Sequence, residues 1–374
     1  MVVNPWEVSG EIDYNKLIRE FGTSQIDNKL KARLDSLHPL IRRGVYFSHR
    51  DLDKWVENAE KKKKVSVITG RGPSEKMHIG HLVPFLIARS LQERYNCNVY
   101  IPISDDEKFF IKEDLSFEKA IEFGKENILD IIALGFDANR TFIFQDFIYT
   151  DIYRYAAIIS KKINYSTAKA IFGLTQEKNL GWTFYPAMQA AHILYPQFIE
   201  GAHLSLVPVA IDQDPFIRLT RDVAESRDIG LLKPCAIHAK FIVGLNGSAK
   251  MSSSSSEENN VIYLSDTLEK VRKKINKYAF SGGQATIEEH RKKGGNPKID
   301  VCFQYLKIFF EEDDKKLKSI EEDYKNGKLL TSELKEYTIQ KISNFLSIHQ
   351  KNREKAKREI EKYIIKNTTF YDKV

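Results

Sequence analysis

His78 and His81 stand three residues apart in the stretch His78-Ile79-Gly80-His81. Residues at i and i+3 share one face of a helix, so both imidazoles can reach one group. The stretch follows Thr69-Gly70-Arg71-Gly72-Pro73-Ser74-Glu75-Lys76-Met77, where a strand hands over to a helix. A helix N-terminus offers free N–H groups and the positive end of a dipole, which suits phosphate. Gly80 carries no side chain, so a flat base can lie close to the backbone. The imidazoles can then donate to phosphate oxygens as charge moves onto a leaving pyrophosphate. Given 9 His and 19 Gly, chance produces His-x-Gly-His about 0.01 times in a chain of this length. Read alone, the same residues also suit a purely structural helix start.

The second chemical stretch is Lys250-Met251-Ser252-Ser253-Ser254. It reads either as a serine-rich linker or as a mobile loop whose lysine and hydroxyls hold departing phosphates.

Positioning these residues needs a rigid frame. Residues 65–69 are short, β-branched and bounded by Gly70, as expected of a buried strand. A helix is expected over 78–95, distorted in its first turn by Pro84. Strands follow at 98–103 and 141–144, with a helix over 116–134 between them. Strand, helix and strand repeated at this spacing imply a parallel sheet with right-handed crossovers. Residues 150–205 interrupt the pattern with helices; it resumes at 206–211, followed by a helix from Pro215. From Ser265 onward the chain reads as helical and charged, with Leu268, Val271, Ile275 and Tyr278 on one stripe.

The expected fold is therefore α/β: a Rossmann-like parallel-sheet catalytic domain with a helical insertion, plus an all-helical C-terminal domain. The boundaries fall at 1–60 for a polar N-terminal extension, 61–260 for the catalytic domain (insertion about 150–205) and 261–374 for the helical end.

Charge separates the same zones. Residues 261–374 hold 25 Lys and Arg against 18 Asp and Glu, a surplus equal to the +7 of the whole chain. A basic end on a neutral body suits a polyanion, or else a solvated, salt-bridged helical surface. Apolar runs such as 82–88 are too short to cross a bilayer, and the first residues carry neither a basic nor an apolar signal region. Cys97, Cys235 and Cys302 lie far apart and form no metal-type pair, which suits a reducing cytoplasm.

The two chemical stretches, in this order and about 170 residues apart, resemble the paired signatures of class I aminoacyl-tRNA synthetases. Longer matches are similar to tryptophanyl-tRNA synthetases of the archaeal and eukaryotic type. They comprise Ser104-Asp105-Asp106-Glu107-Lys108, Pro186-Ala187-Met188-Gln189-Ala190-Ala191, Ala210-Ile211-Asp212-Gln213-Asp214-Pro215 and Thr220-Arg221-Asp222-Val223-Ala224. Tyr278-Ala279-Phe280-Ser281-Gly282-Gly283, Glu288-Glu289-His290-Arg291, Asn4-Pro5-Trp6 and Phe47-Ser48-His49-Arg50-Asp51 extend the likeness over nearly the whole chain.

The resemblance implies activation of L-tryptophan with ATP and its transfer to tRNA(Trp). His78, His81, Lys250 and Ser252 would be catalytic. Thr69, Gly70, Arg71, Gly80, Met251 and Ser253 would join them around ATP. Glu107 would hold the tryptophan ammonium, and Gln189 and Gln213 would orient its amino and carboxylate ends. Mg²⁺ would bridge the phosphates, with no protein ligand evident. A homodimer is implied, as is a basic helical domain that holds tRNA; no membrane contact is expected.

Two positions depart from the family. A tyrosine and a glutamine that usually serve the indole N–H are here Ile68 and Pro102, whose side chains accept no hydrogen bond. Tyr185 and His192, beside the 186–191 motif, are candidates to replace them. The rival readings are a tyrosyl-tRNA synthetase, which needs polar partners for a buried phenol, and a small-molecule nucleotidylyltransferase of the HxGH type, which would not need the basic end. A synthetase-like protein without catalysis is a third, and intact His78, His81, Lys250 and Glu107 argue against it.

Overall fold

Among the described residues, nine strands carry the sheet structure: β1 (Val2–Val3), β2 (Val8–Ser9), β3 (Ser24–Gln25), β4 (Tyr46–Arg50), β5 (Val65–Ile68), β6 (Asn98–Ile103), β7 (Thr141–Gln145), β8 (Leu204–Ala210) and β9 (Cys235–Ala239). The computed structural model describes residues 2–3, 8–10, 12–34, 38–73, 75–248, 250–251 and 259–367. Asn4-Pro5-Trp6 and the serines 252–256 lie outside them.

Seven strands form one sheet in the order β3-β4-β9-β8-β5-β6-β7. The five from β9 to β7 are parallel, and β4 and β3 add an antiparallel edge. Apolar runs explain the parallel strands: β5 reads Val-Ser-Val-Ile and is buried throughout, as a strand covered on both faces must be. Val65 and Val67 enter one core with the helix Leu82–Tyr95, while Ile68 enters a second core under the helix Leu180–Glu200.

From β5 the chain builds outward through β6 and β7, then crosses back to lay β8 on the other side of β5. Such a reversal opens a crevice at the carboxyl ends of the strands, where α/β folds bind ligands. The insertion between β7 and β8 consists of the helices Ile152–Ser160, Tyr165–Phe172 and Leu180–Glu200. The last contains Pro186 and Pro196 and is buried from Tyr185 to Gln197 apart from Gln189, which is half-buried.

The segment expected to form a helix over 78–95 begins as a 3₁₀ turn, Ile79–His81, and becomes α-helical at Leu82. Pro84 thus falls in the first α-turn, where its missing N–H has no intrahelical acceptor to lose.

The zone 1–60 does more than extend the chain. β4 (Tyr-Phe-Ser-His-Arg) pairs antiparallel with β9 and is almost wholly buried. Its polar residues are matched rather than solvated: Ser48 Oγ lies 3.1 Å from His238 Nδ1, and Arg50 forms two 2.7 Å bonds with Asp214. At the other end, the helices Leu268–Tyr278 and Thr331–Glu359 share the core of the sheet through Val271, Ile275, Ile342 and Leu346. Backbone bonds from Ile143 N to Tyr363 O (2.7 Å) and from Ile365 N to Ile143 O (2.9 Å) tie the chain end to β7.

Candidate active site

The loop leaving β5 continues the ladder with β6 before it turns. Thr69 N–H donates to Tyr100 O (3.1 Å) and Arg71 N–H to Pro102 O (3.0 Å); Ser104 N–H returns a bond to Arg71 O (2.8 Å). A Cβ on Gly70 would lie 2.4 Å from Pro102 O, so no other residue fits this approach. The Arg71 guanidinium is aimed by the Asn127 amide, which itself donates to Glu75 O and Phe123 O.

His78 and His81 stack with ring centroids 3.5 Å apart. Gly80 N–H donates to His78 Nδ1 (3.2 Å), and His78 N–H donates to His81 Nδ1 (3.1 Å). The helix start thereby consumes both Nδ1 lone pairs and leaves each ring proton on Nε2. Burial, reinforced by the nearby Arg71, holds both imidazoles well below their usual range, so they are neutral donors.

The chain beyond the second signature docks on the first, and Met251 is held by the segment leading into it. Ile79 N–H donates to Ile262 O (3.0 Å), Leu264 N–H to Met77 O (2.9 Å) and Met251 N–H to Ile242 O (2.6 Å). Lys250 Nζ lies 2.6 Å from Asp212 Oδ2. A Cβ on Gly80 would meet the Met251 sulfur at 3.0 Å, so Met251 sits over the position expected to face a base.

At the deeper end, Glu107 lies in the first turn of the helix Asp105–Ile111, its Oε1 accepting from Lys108 Nζ at 2.7 Å. Gly72 leaves room for that carboxylate: a Cβ there would be 2.1 Å from Glu107 Oε2. Tyr185, Gln189 and His192 share one face of the helix Leu180–Glu200. Tyr185 Oη donates to Gln189 Oε1 (2.8 Å), and His192 Nε2 lies 3.0 Å from Asp146 Oδ1. Gln213 closes the 3₁₀ turn Ile211–Gln213 that follows β8.

One cavity of about 900 Å³ joins the two ends. Thr69, Gly70, Arg71, His78, Gly80 and His81 line it from the first signature, with Lys250 and Met251 from the second. Ile68, Pro102, Glu107, Tyr185, Gln189, His192 and Gln213 line it as well. Ser252 and Ser253 lie outside the described residues. Such a volume is at the upper range for a ligand site.

Sequence reasoning passed over Asp146, at the carboxyl end of β7, and the role of Asp212 inside the 210–215 motif. Both are buried, and both have a carboxylate oxygen with no hydrogen-bond partner among the described residues. Position at a strand's carboxyl end was the available signal for each.

The tRNA synthetase class I (W and Y) family model matches residues 60–347. Tryptophan–tRNA ligase of Thermococcus onnurineus is 51% identical over 367 residues, covering 96% of this chain and 93% of that protein. The chain belongs to the tryptophan–tRNA ligases. A second such ligase, from Saccharolobus solfataricus, is 50% identical and covers 95% of this chain and 93% of its own length. Among solved structures, the Plasmodium falciparum tryptophanyl-tRNA synthetase superposes with a TM-score of 0.86 at 40% identity, over 94% of this chain and 95% of that one. The Encephalitozoon cuniculi enzyme, bound to tryptophan, gives 0.85 at 36%, over 96% and 99%. Among the described residues of this ligase, no helix is long and apolar enough to cross a membrane.

Proposed function

We propose that the single cavity performs both steps of tryptophan–tRNA ligation. The observation that supports this is that His78, Gly80 and His81 of the first signature and Lys250 and Met251 of the second line one cavity with Glu107 and Gln189.

In the first step the tryptophan carboxylate attacks the α-phosphate of ATP and pyrophosphate leaves. Glu107 binds the ammonium, exchanging Lys108 for it. Gln189 and Gln213 orient the amino and carboxylate ends. Gly70 and Gly72 let the loop backbone close on the ligands, and Thr69 anchors that loop to β8 through Pro208 O (3.2 Å). The Nε2–H groups of His78 and His81, with Arg71 and Lys250, donate to phosphate oxygens as charge grows on the leaving group. Ser252 and Ser253 are expected to join Lys250, and Gly80 and Met251 to flank the adenosine. In the second step a terminal ribose hydroxyl of tRNA attacks the adenylate; no protein nucleophile is required.

Mg²⁺ would neutralise phosphate charge. Asp212 is the carboxylate beside Lys250, and the described acidic trio Asp105, Asp106 and Asp146 is engaged by Gln145, Phe147 N–H, Glu107 N–H and His192. The ion would therefore ride on the nucleotide's oxygens and water, as Mg²⁺ prefers.

The surplus of positive charge over 261–374 supports tRNA contact through the helical end. The partly exposed cluster Phe109, Phe117 and Phe147 supplies an apolar face for a second copy, and three free, buried cysteines fit a cytoplasmic setting. The test is ATP–pyrophosphate exchange with each amino acid in turn. Exchange driven by tryptophan alone is expected; exchange driven by tyrosine contradicts the reading.

A further inference from the structure

The indole N–H of tryptophan is a donor. Burying it without an acceptor costs about 10- to 100-fold in affinity. On the reading above, the deep end of the cavity has to supply that acceptor. Ile68, Val207 and Phe216 offer only carbon there, and the Pro102 carbonyl already accepts from Arg71 N–H. Thr69 Oγ1 is spent on Pro208 O and Ser104 pairs with the Tyr185 phenol; the other polar side chains at this end are on the helix Leu180–Glu200.

His192 Nε2 lies 3.0 Å from Asp146 Oδ1, with His192 1% and Asp146 0% exposed. Asp146 also faces Asp106. Oxygens of Asp105, Asp106 and Asp146 lie within 4.8 Å of one another, and burial raises Asp106 and Asp146 alike well above the usual carboxylate range. By geometry, Asp146 is the carboxylate that His192 meets: its Oδ1 faces Nε2, and its Oδ2 has no partner among the described residues. An imidazole donating from Nε2 to that carboxylate presents a bare lone pair at Nδ1.

Nδ1 lies 3.4 Å from Gln189 Oε1. That oxygen accepts from Tyr185 Oη at 2.8 Å, and the Tyr185 phenol in turn bonds with Ser104. With the ring proton on Nε2, Nδ1 and Oε1 are both acceptors, neither satisfies the other, and Nδ1 is left for a donor from the ligand. Depth decides which donor. The Glu107 side chain is 14% exposed, nearer the mouth than the 1% of His192, so the ammonium lies outward and the ring inward.

We infer that His192 Nδ1 accepts the indole N–H of tryptophan, and that Asp146 is the positioning residue that keeps the His192 proton on Nε2. The pair replaces what Ile68 and Pro102 do not provide.

The test is ATP–pyrophosphate exchange with tryptophan and with 3-benzothienylalanine, which carries sulfur where indole has N–H. The wild-type chain is expected to prefer tryptophan by about 10- to 100-fold in kcat/KM. His192→Leu brings the preference close to parity. Asp146→Asn does the same, because an asparagine amide can donate to Nε2 and move the ring proton to Nδ1; it also carries the test if His192→Leu does not fold. His192→Gln, which keeps an acceptor, retains part of the preference. An unchanged preference in His192→Leu, or equal losses for both amino acids across the variants, would overturn the inference. A wild-type chain with no tryptophan-dependent exchange would overturn the parent reading and this one with it.

Discussion

Lys250 Nζ lies 2.6 Å from Asp212 Oδ2, so the lysine of the second signature is held by a buried carboxylate that lines the same cavity. Asp212 Oδ1 has no other partner among the described residues. Besides this ion pair the lysine lies over the Phe241 ring at 5.4 Å, and its transfer to phosphate would break one hydrogen bond. Lys250→Ala should lower kcat for exchange on the order of 100-fold or more, while KM for tryptophan changes by less than about twofold. A rise in the tryptophan KM with kcat preserved would place Lys250 in amino-acid binding instead.

Gly70 approaches Pro102 so closely that an added Cβ would sit 2.4 Å from its carbonyl oxygen and 2.7 Å from its ring. Neither atom belongs to a flexible side-chain end. Gly70→Ala must displace the loop that carries Arg71, and displacements of this kind cost on the order of 100-fold in rate. Steady-state exchange kinetics check this; near-normal kcat/KM would show that the loop tolerates the shift.

The α/β frame was legible where apolar runs are continuous. β5, β6, β7 and the helices 82–95, 117–132 and 268–278 all follow the patterns read from the chain. β4 and β9 were not legible. Their Ser48, Arg50 and His238 look like surface residues, yet Ser48 and His238 are buried and Arg50 is half-buried, because each is partnered across the sheet or by Asp214. His78, His81 and Lys250 were singled out as phosphate-binding chemistry, and all three line the cavity. Glu107, Gln189 and Gln213 came only through resemblance, because single polar residues on helices carry no pattern of their own.

That buried ionic partnership has a measurable weight. Burial alone would raise Asp214, but Arg50 and His238 hold it down to about 2. Arg50→Met leaves a fully buried carboxylate without its two 2.7 Å bonds. Urea unfolding should show a loss of about 3–5 kcal/mol. A loss below about 1 kcal/mol would mean that Asp214 finds compensation from Arg218 and His238.

Stability should fall as the solution is acidified from pH 7 to 5. Burial pushes His38 and His192 down to about 4 and lowers His49, His78, His81 and His203. The unfolded chain takes up protons near pH 6.5 that these folded rings refuse. The stabilisation is therefore full above about pH 6.5 and is lost as pH falls toward 4. Burial raises Asp105, Asp106 and Asp146, and their contribution runs the other way, being lost as pH rises. Six imidazoles outweigh three carboxyls, so the urea midpoint should be lower at pH 5; an equal or higher midpoint contradicts this balance.

The most direct test of the whole account is a crystal structure with tryptophan and a non-hydrolysable ATP analogue bound together. Expected are the indole between Ile68 and His192, the ammonium on Glu107, the triphosphate against His78, His81 and Arg71, and Lys250 moved from Asp212 to a phosphate oxygen. Tryptophan bound outside this cavity, or a triphosphate that leaves His78 and His81 untouched, would contradict it.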